Sequence, residues 1–267
     1  MGEVWREPWR RFRRRSQPPG PDRVRGEPPS GNGASSLHLF WDLPGRFKAV
    51  EVTLEVLEMP TVSRLYFWAL QANFVGPDGP GGGAHLGLQF HPDYPGATAV
   101  NWGGYRNGGG ELQGSASPLA GALGNVNTRD YPWQPGRPYR LRIDRSPDQP
   151  GWWQGSVRDL ADPGGGWVTV RALRGGGTHL TSLMTWSEVF ARCEHPPVTV
   201  RWSDPAGFLD DGTPQRPATM SVNYQARADG GCANTTAEAD QVGIRQRTGT
   251  ERLVAQGTNL TVPYPPP

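Results

Sequence analysis

Lysine is almost missing from this chain: of its 27 basic residues only Lys48 is not arginine. Phosphate-binding loops that rely on a lysine closing a glycine run have no residue to use, so P-loop chemistry is excluded on inventory. Cysteine is nearly as scarce. Cys193 and Cys232 permit one disulfide or none, and Cys-x-x-Cys spacing is absent. A zinc site needs three or four convergent ligands, and five histidines with no close pairing do not suggest one. Long apolar runs are lacking too: the longest, Leu65 to Leu70, falls far short of the ~18 residues of a membrane span. No stretch carries a sustained 3.6-residue period, which disfavours a helical fold. There is no Gly-x-Ser-x-Gly elbow for a serine nucleophile and no Glu-x-Asp-x-x-Glu glucanase pattern.

What is present is glycine, proline and tryptophan, at 37, 28 and 11 of 267 residues. Glycine and proline break helices, yet the aromatics and short apolar runs exceed what a disordered chain carries. The net charge of +2 is uneven. Residues 1–30 hold eight arginines against Glu3, Glu7, Asp22 and Glu27, and the remainder is close to neutral. A near-neutral body offers no basic stripe for nucleic acid. Residues 1–36, with PPGP, EPPS and GNG, read as a disordered basic arm. Trp5, Trp9 and Phe12 among its arginines would let that arm touch an anionic surface. No apolar h-region follows the basic start, so as written the chain is expected in the cytoplasm, and secreted if the start is misassigned. A disulfide between Cys193 and Cys232 would need an oxidising compartment.

From Leu37 the texture changes to short runs of period 2 between glycine and proline clusters. Val50, Val52, Leu54 and Val56 alternate with Glu51, Thr53 and Glu55, and Tyr66, Trp68, Leu70 and Phe74 alternate with Gln71 and Asn73. About eleven such strands predict one all-β domain over 37–263, a jelly-roll-like antiparallel β-sandwich, with a proline tail at 264–267. Ser187–Cys193 reads equally as a helical turn or a strand. Two glycine turns, GGGAHLGL from Gly81 and GGGTHLTSL from Gly175, echo each other.

The candidate site is the polar side of consecutive strands: Gln71 and Asn73, then His85 and Gln89, then Asn101. Trp102 and Tyr105 are expected in the glycine-hinged loop that follows, and Trp186 stands beside Glu188. Amides hydrogen-bond sugar hydroxyls without the desolvation cost of a charge, and aromatic rings stack on sugars, so non-catalytic carbohydrate binding is the first expectation. A polysaccharide hydrolase with Glu188 as acid or base is the second, and a structural or assembly protein the third. Glycoside hydrolysis needs two carboxylates ~5–9.5 Å apart. Glu51 and Glu55, about 13 Å apart along one strand, do not supply them. No cofactor is expected, and Asp159, Asp162, Asp210 and Asp211 are the loop oxygens a calcium ion would have.

Tyr66-Phe67-Trp68-Ala69, Gly87-Leu88-Gln89, Asn101-Trp102, Trp133 with Gly136-x-Pro138-Tyr139-Arg140, and Trp167 together resemble a bacterial family of uncharacterised function, found in actinobacteria among others. That family looks like the concanavalin A-like lectin/glucanase sandwiches. The resemblance spans roughly residues 40–225. It implies a jelly roll with one concave face, carries over no catalytic residue, and places many relatives outside the cell.

Overall fold

The computed structural model describes residues 23–264. Among them are seventeen strands, two 3₁₀ turns and no α-helix. In chain order the strands are Ser35–Trp41 (β1), Ala49–Glu58 (β2), Tyr66–Gly76 (β3), Gly79–Phe90 (β4), Thr98–Arg106 (β5), Gly121–Ala122 (β6), Asn125–Asp130 (β7), Pro138–Arg145 (β8) and Trp152–Asp159 (β9). Then come Val168–Arg174 (β10), His179–Val189 (β11), Val198–Phe208 (β12), Pro214–Gln215 (β13), Thr219–Tyr224 (β14), Thr235–Ala239 (β15), Ile244–Thr248 (β16) and Asn259–Thr261 (β17). They form two antiparallel sheets. One has nine strands in the order β17-β14-β1-β11-β3-β4-β5-β7-β6; the other runs β10-β9-β8-β2-β12-β16-β15, with β13 on β12.

The sheets meet through the apolar half of each alternation. Tyr66, Trp68, Leu70 and Phe74 of β3 face Val50, Val52 and Leu54 of β2 across one core, and Trp102, Trp153 and Trp202 are fully buried in it. Alternating inner and outer residues is what a two-layer sandwich requires. The all-β sandwich read from the sequence is therefore the observed fold. The two echoing glycine segments are packed on each other. A Cβ on Gly81 would lie 2.5 Å from the carbonyl carbon of Gly176, so only glycine lets these two turns touch.

Part of the arm expected over residues 1–36 is described. Residues 1–22 lie outside the described residues, but 23–34 are bound to the body. Gly26 N donates to Glu194 Oε2 at 2.7 Å, Cys193 N donates to Gly26 O at 2.9 Å, and Ala233 N donates to Arg23 O at 2.7 Å. The physical reason is the cross-link beneath. Cys193 and Cys232 form a disulfide with Cα atoms 5.6 Å apart and 39 residues of separation. It fixes two loops that together make a bed for this segment. Closing a loop of that length removes chain entropy worth about 4 kcal/mol from the unfolded state. Cys193→Ala with Cys232→Ala should accordingly lower the unfolding free energy by about that amount, read as a lower midpoint in urea titration of both proteins. An unchanged midpoint would show that the cross-link adds nothing to stability.

Candidate functional site

The outer face of the nine-stranded sheet is where chemistry collects. Register places three rows of side chains across it. The first runs Ser36, Glu188, Phe67, Gln89, Ala99, Asp130, one residue per strand from β1 to β7. The second runs His38, Trp186, Ala69, Gly87, Asn101, Thr128, and the third Phe40, Met184, Gln71, His85, Gly103. Nothing from the second sheet covers this face, yet Gln71, Gln89, Asn101 and Trp186 are only 2–6% exposed. The side chains shelter one another.

They do so through a connected polar network. Trp186 Nε1 donates to Gln71 Oε1 at 2.9 Å, and Gln71 Nε2 donates to Tyr105 Oη at 3.1 Å. Asn101 Nδ2 donates to Thr128 Oγ1 at 2.8 Å, and Thr128 donates on to Gln89 Oε1 at 3.3 Å. Tyr94 Oη gives Gln89 Oε1 a second donor at 3.0 Å. With its oxygen committed twice, Gln89 is held in one orientation. Beside the network lies an aromatic cluster. Phe67 and Trp186 meet edge to face at 4.8 Å between centroids, and His85 sits 5.5 Å from Phe67 and 5.7 Å from Trp186. His38 stacks on Phe40 at 5.9 Å. Burial among these rings pushes both imidazoles down to about 4 and keeps them neutral.

Glu188 stands at the edge of that cluster. It is half-buried, and desolvation raises its carboxyl to about 7 against the pull of its hydrogen-bond donors. Those donors are Asn32 Nδ2 at 3.3 Å and Ser36 Oγ at 3.4 Å, both to Oε1. Asn32 is itself fixed: its Oδ1 accepts from Ala34 N at 3.1 Å and Ser30 Oγ at 2.9 Å. The docked segment before β1 thus delivers a rigid donor to the Glu188 carboxyl. The other glutamates weighed from the sequence are engaged on the second sheet, Glu51 with Arg140 and Arg142 and Glu55 with Arg201.

Gln71, Asn73, His85, Gln89, Asn101, Tyr105 and Trp186 all belong to this one face, as alternation requires. Trp102 does not. It was expected as a ring on a flexible loop, but β5 runs on to Arg106 and turns Trp102 into the core, where it is fully buried. Its neighbours Gly103 and Gly104 are strand residues. A Cβ on Gly104 would lie 2.5 Å from Gly83 O and 2.8 Å from Leu112 Cδ1, so close packing, not hinge motion, calls for glycine. Ser36 and Asn32 fall in the supposed arm, and His38 lies just past it in a stretch where no strand is read from the sequence. The alternation Leu37, Leu39, Trp41 against Ser36, His38, Phe40 was the signal that could have found β1.

Among the described residues no group of three or more His, Cys, Asp or Glu side chains is arranged to hold a metal ion. The four loop aspartates are engaged elsewhere: Asp159 with Arg137, Asp162 with Gly164 N, Asp210 with Arg145 and His179, and Asp211 with Thr213 N.

No protein-family model and no curated protein matches the chain, so the likeness to the bacterial family stands on the quoted motifs alone. Solved structures do resemble it. Scytalido-glutamic peptidase with a peptide-based transition-state analogue aligns at a TM-score of 0.46 and 10% identity, covering 81% of this chain and 98% of that one. The same enzyme with a transition-state analogue inhibitor gives 0.42 and 11%, covering 80% and 96%. SCP-B, a member of the eqolisin family of peptidases in complex with the tripeptide Ala-Ile-His, gives 0.40 and 9%, covering 80% and 96%. At these values the likeness lends nothing to a reading of activity.

Proposed function

We propose that the outer face of the nine-stranded sheet is a hydrolytic site with Glu188 as its proton-carrying group. The observation that carries this is a half-buried carboxyl raised to about 7, beside Trp186, on a fixed donor from Asn32. A general acid–base group works best when its pKa lies near the working pH. A carboxyl that burial keeps half-protonated at neutrality can take a proton from water and return it to a leaving group.

The surroundings favour a carbonyl substrate over a glycosidic bond. Two-carboxylate glycoside chemistry needs a second acid within ~9.5 Å. The next carboxyl in the row of Glu188 is that of Asp130, four strands away, which is about 19 Å at ~4.8 Å per strand. What lies nearer is carboxamide. Gln89 is two strands away in the same row, its oxygen turned to Tyr94 and Thr128. Its N–H edge is the donor suited to a developing oxyanion. In this reading Glu188 carboxylate removes a proton as water adds to the carbonyl carbon. The tetrahedral oxyanion leans on carboxamide donors. Protonated Glu188 then protonates the departing nitrogen or oxygen, which restores the carboxylate. Of the rings around it, Phe40 and His85 are only half-buried and would be the ones to meet an apolar group on the substrate.

The glycan-binding reading loses its platform here, since Trp186 is buried with its indole N–H committed to Gln71 and Trp102 is in the core. The test is an activity screen of the whole chain on fluorogenic peptides, chromogenic esters and soluble polysaccharides. Cleavage of an amide or ester that falls ~10²–10⁴-fold in Glu188→Gln supports the proposal. Reducing-sugar release, or carbonyl cleavage indifferent to Glu188→Gln, refutes it.

A further inference from the structure

A second concave site lies at the other end of β11. His179 and Glu188 are nine residues apart on that strand, which is about 30 Å. The turns after β8 and β10 and the turn after β12 border an open cleft of about 470 Å³, lined by Arg145, Ser146, Gln149, Trp152, His179 and Asp210 among others. That volume is in the range of small-molecule sites.

We propose that this cleft binds a neutral saccharide. The first ground is charge balance. Asp210 Oδ1 receives Arg145 Nη2 at 3.0 Å and Asp210 Oδ2 lies 2.9 Å from His179 Nε2. Just outside, Asp211 is held low by Thr213 and by the charge of Lys48. An anionic ligand would meet Asp210 and a cationic one Arg145, so neither sign is favoured.

The second ground is a fixed grid of donors and acceptors. Arg145 Nε donates to Thr178 O at 2.7 Å, and Thr178 Oγ1 lies 3.1 Å from His179 Nδ1. Arg, His and Asp are therefore locked in place by one another. Each still has valences to spend, because a carboxylate accepts about four hydrogen bonds and a guanidinium donates five. A hydroxyl gives and takes at once, and adjacent hydroxyls on a sugar ring match such a paired grid. Gln149 and Ser146 add neutral partners on the rim.

The third ground is aromatic. Trp152 is half-buried on the wall, and an aromatic ring beside converging polar groups suits the apolar side of a sugar ring. Its strand neighbour Trp153 points the other way, into the core against Phe74, and backs the cleft floor as packing.

The experiment is isothermal titration of the whole chain with glucose, maltose, cellobiose and N-acetylglucosamine, against glucuronate and inorganic phosphate. The proposal expects binding of at least one neutral sugar, weakened at least tenfold by Trp152→Ala and by Asp210→Asn. Trp152→Phe should retain it, and Glu188→Gln should leave it unchanged. The Asp210 side chain is 61% exposed, so Asp210→Asn should fold, with circular dichroism as the check. Binding of glucuronate or phosphate only, no neutral sugar bound at all, or neutral-sugar binding unaffected by both cleft variants would overturn it. Loss of sugar binding in Glu188→Gln would move the site to the outer sheet face and overturn it as well.

Discussion

Glu188→Gln should slow hydrolysis ~10²–10⁴-fold and, above neutral pH, make the protein more stable. Burial shifts the carboxyl from its ordinary 4.5 to about 7, so the folded state holds a proton that the unfolded state has already lost between those values. Below 4.5 the side chain is protonated in both states and its contribution is fully present. As pH rises through 7 that contribution is lost, at about 3 kcal/mol for the whole shift. Glutamine keeps the shape and an oxygen for Asn32 and Ser36 without ever carrying the charge. The variant should therefore match the parent at pH 4 and exceed it by about 3 kcal/mol at pH 9, on the order of 5–10 °C in Tm. A residue kept at a cost in stability because its charge is used is the usual mark of an active site. If the variant is less stable than the parent at pH 9, the carboxyl was making favourable ionic contacts and the reading of its environment fails.

The second large effect is acid lability, and its sign is opposite. His38 and His85 are pushed from 6.5 down to about 4 by burial among Phe40, Phe67 and Trp186. Their stability is present above 6.5 and lost as pH falls toward 4, because the unfolded chain takes up protons that the folded one refuses. Each shift is worth up to about 3 kcal/mol, so the pair accounts for up to about 6 kcal/mol between pH 7 and pH 4. Over an overlapping window Glu188 returns about 3, which leaves a net loss of about 3 in the parent. Without that return, Glu188→Gln should lose the full amount. His85→Gln, with no imidazole to protonate there, should lose half of the histidine contribution and so show almost no net acid limb between pH 7 and pH 4. Urea midpoints at pH 8, 6 and 4 for the three proteins measure all of this. An acid limb unchanged in His85→Gln would show that His85 titrates normally.

Much of this is legible in the sequence. Period-2 alternation in β2 and β3 gives the sandwich, and the same rule puts Gln71, Asn73, His85, Gln89 and Asn101 on one face, since a strand has only two sides. Distance between strands was not legible. Glu188 and Gln89 are 99 residues apart in sequence, and only the order β11-β3-β4 makes them near neighbours. Glycine misled the reading twice. At Gly103 and Gly104 it marked crowding inside β5 instead of a loop, which displaced Trp102 from core to surface. In Gly31-Asn32-Gly33 it marked a turn clamped onto the body instead of the end of a loose arm. Local composition cannot tell a glycine that frees the chain from one that lets two backbones meet.

The most direct test of the central claim is the titration of Glu188 itself, followed by carbon-13 NMR of carboxyl-labelled glutamate. The one resonance absent from Glu188→Gln identifies it. The account predicts a midpoint near 7 in the parent, moving higher in Asn32→Ala as a donor to the carboxylate is lost. A midpoint at the ordinary glutamate value of about 4.5 would mean that Glu188 is a solvated surface carboxylate, and the outer face would have no acid–base group to act with.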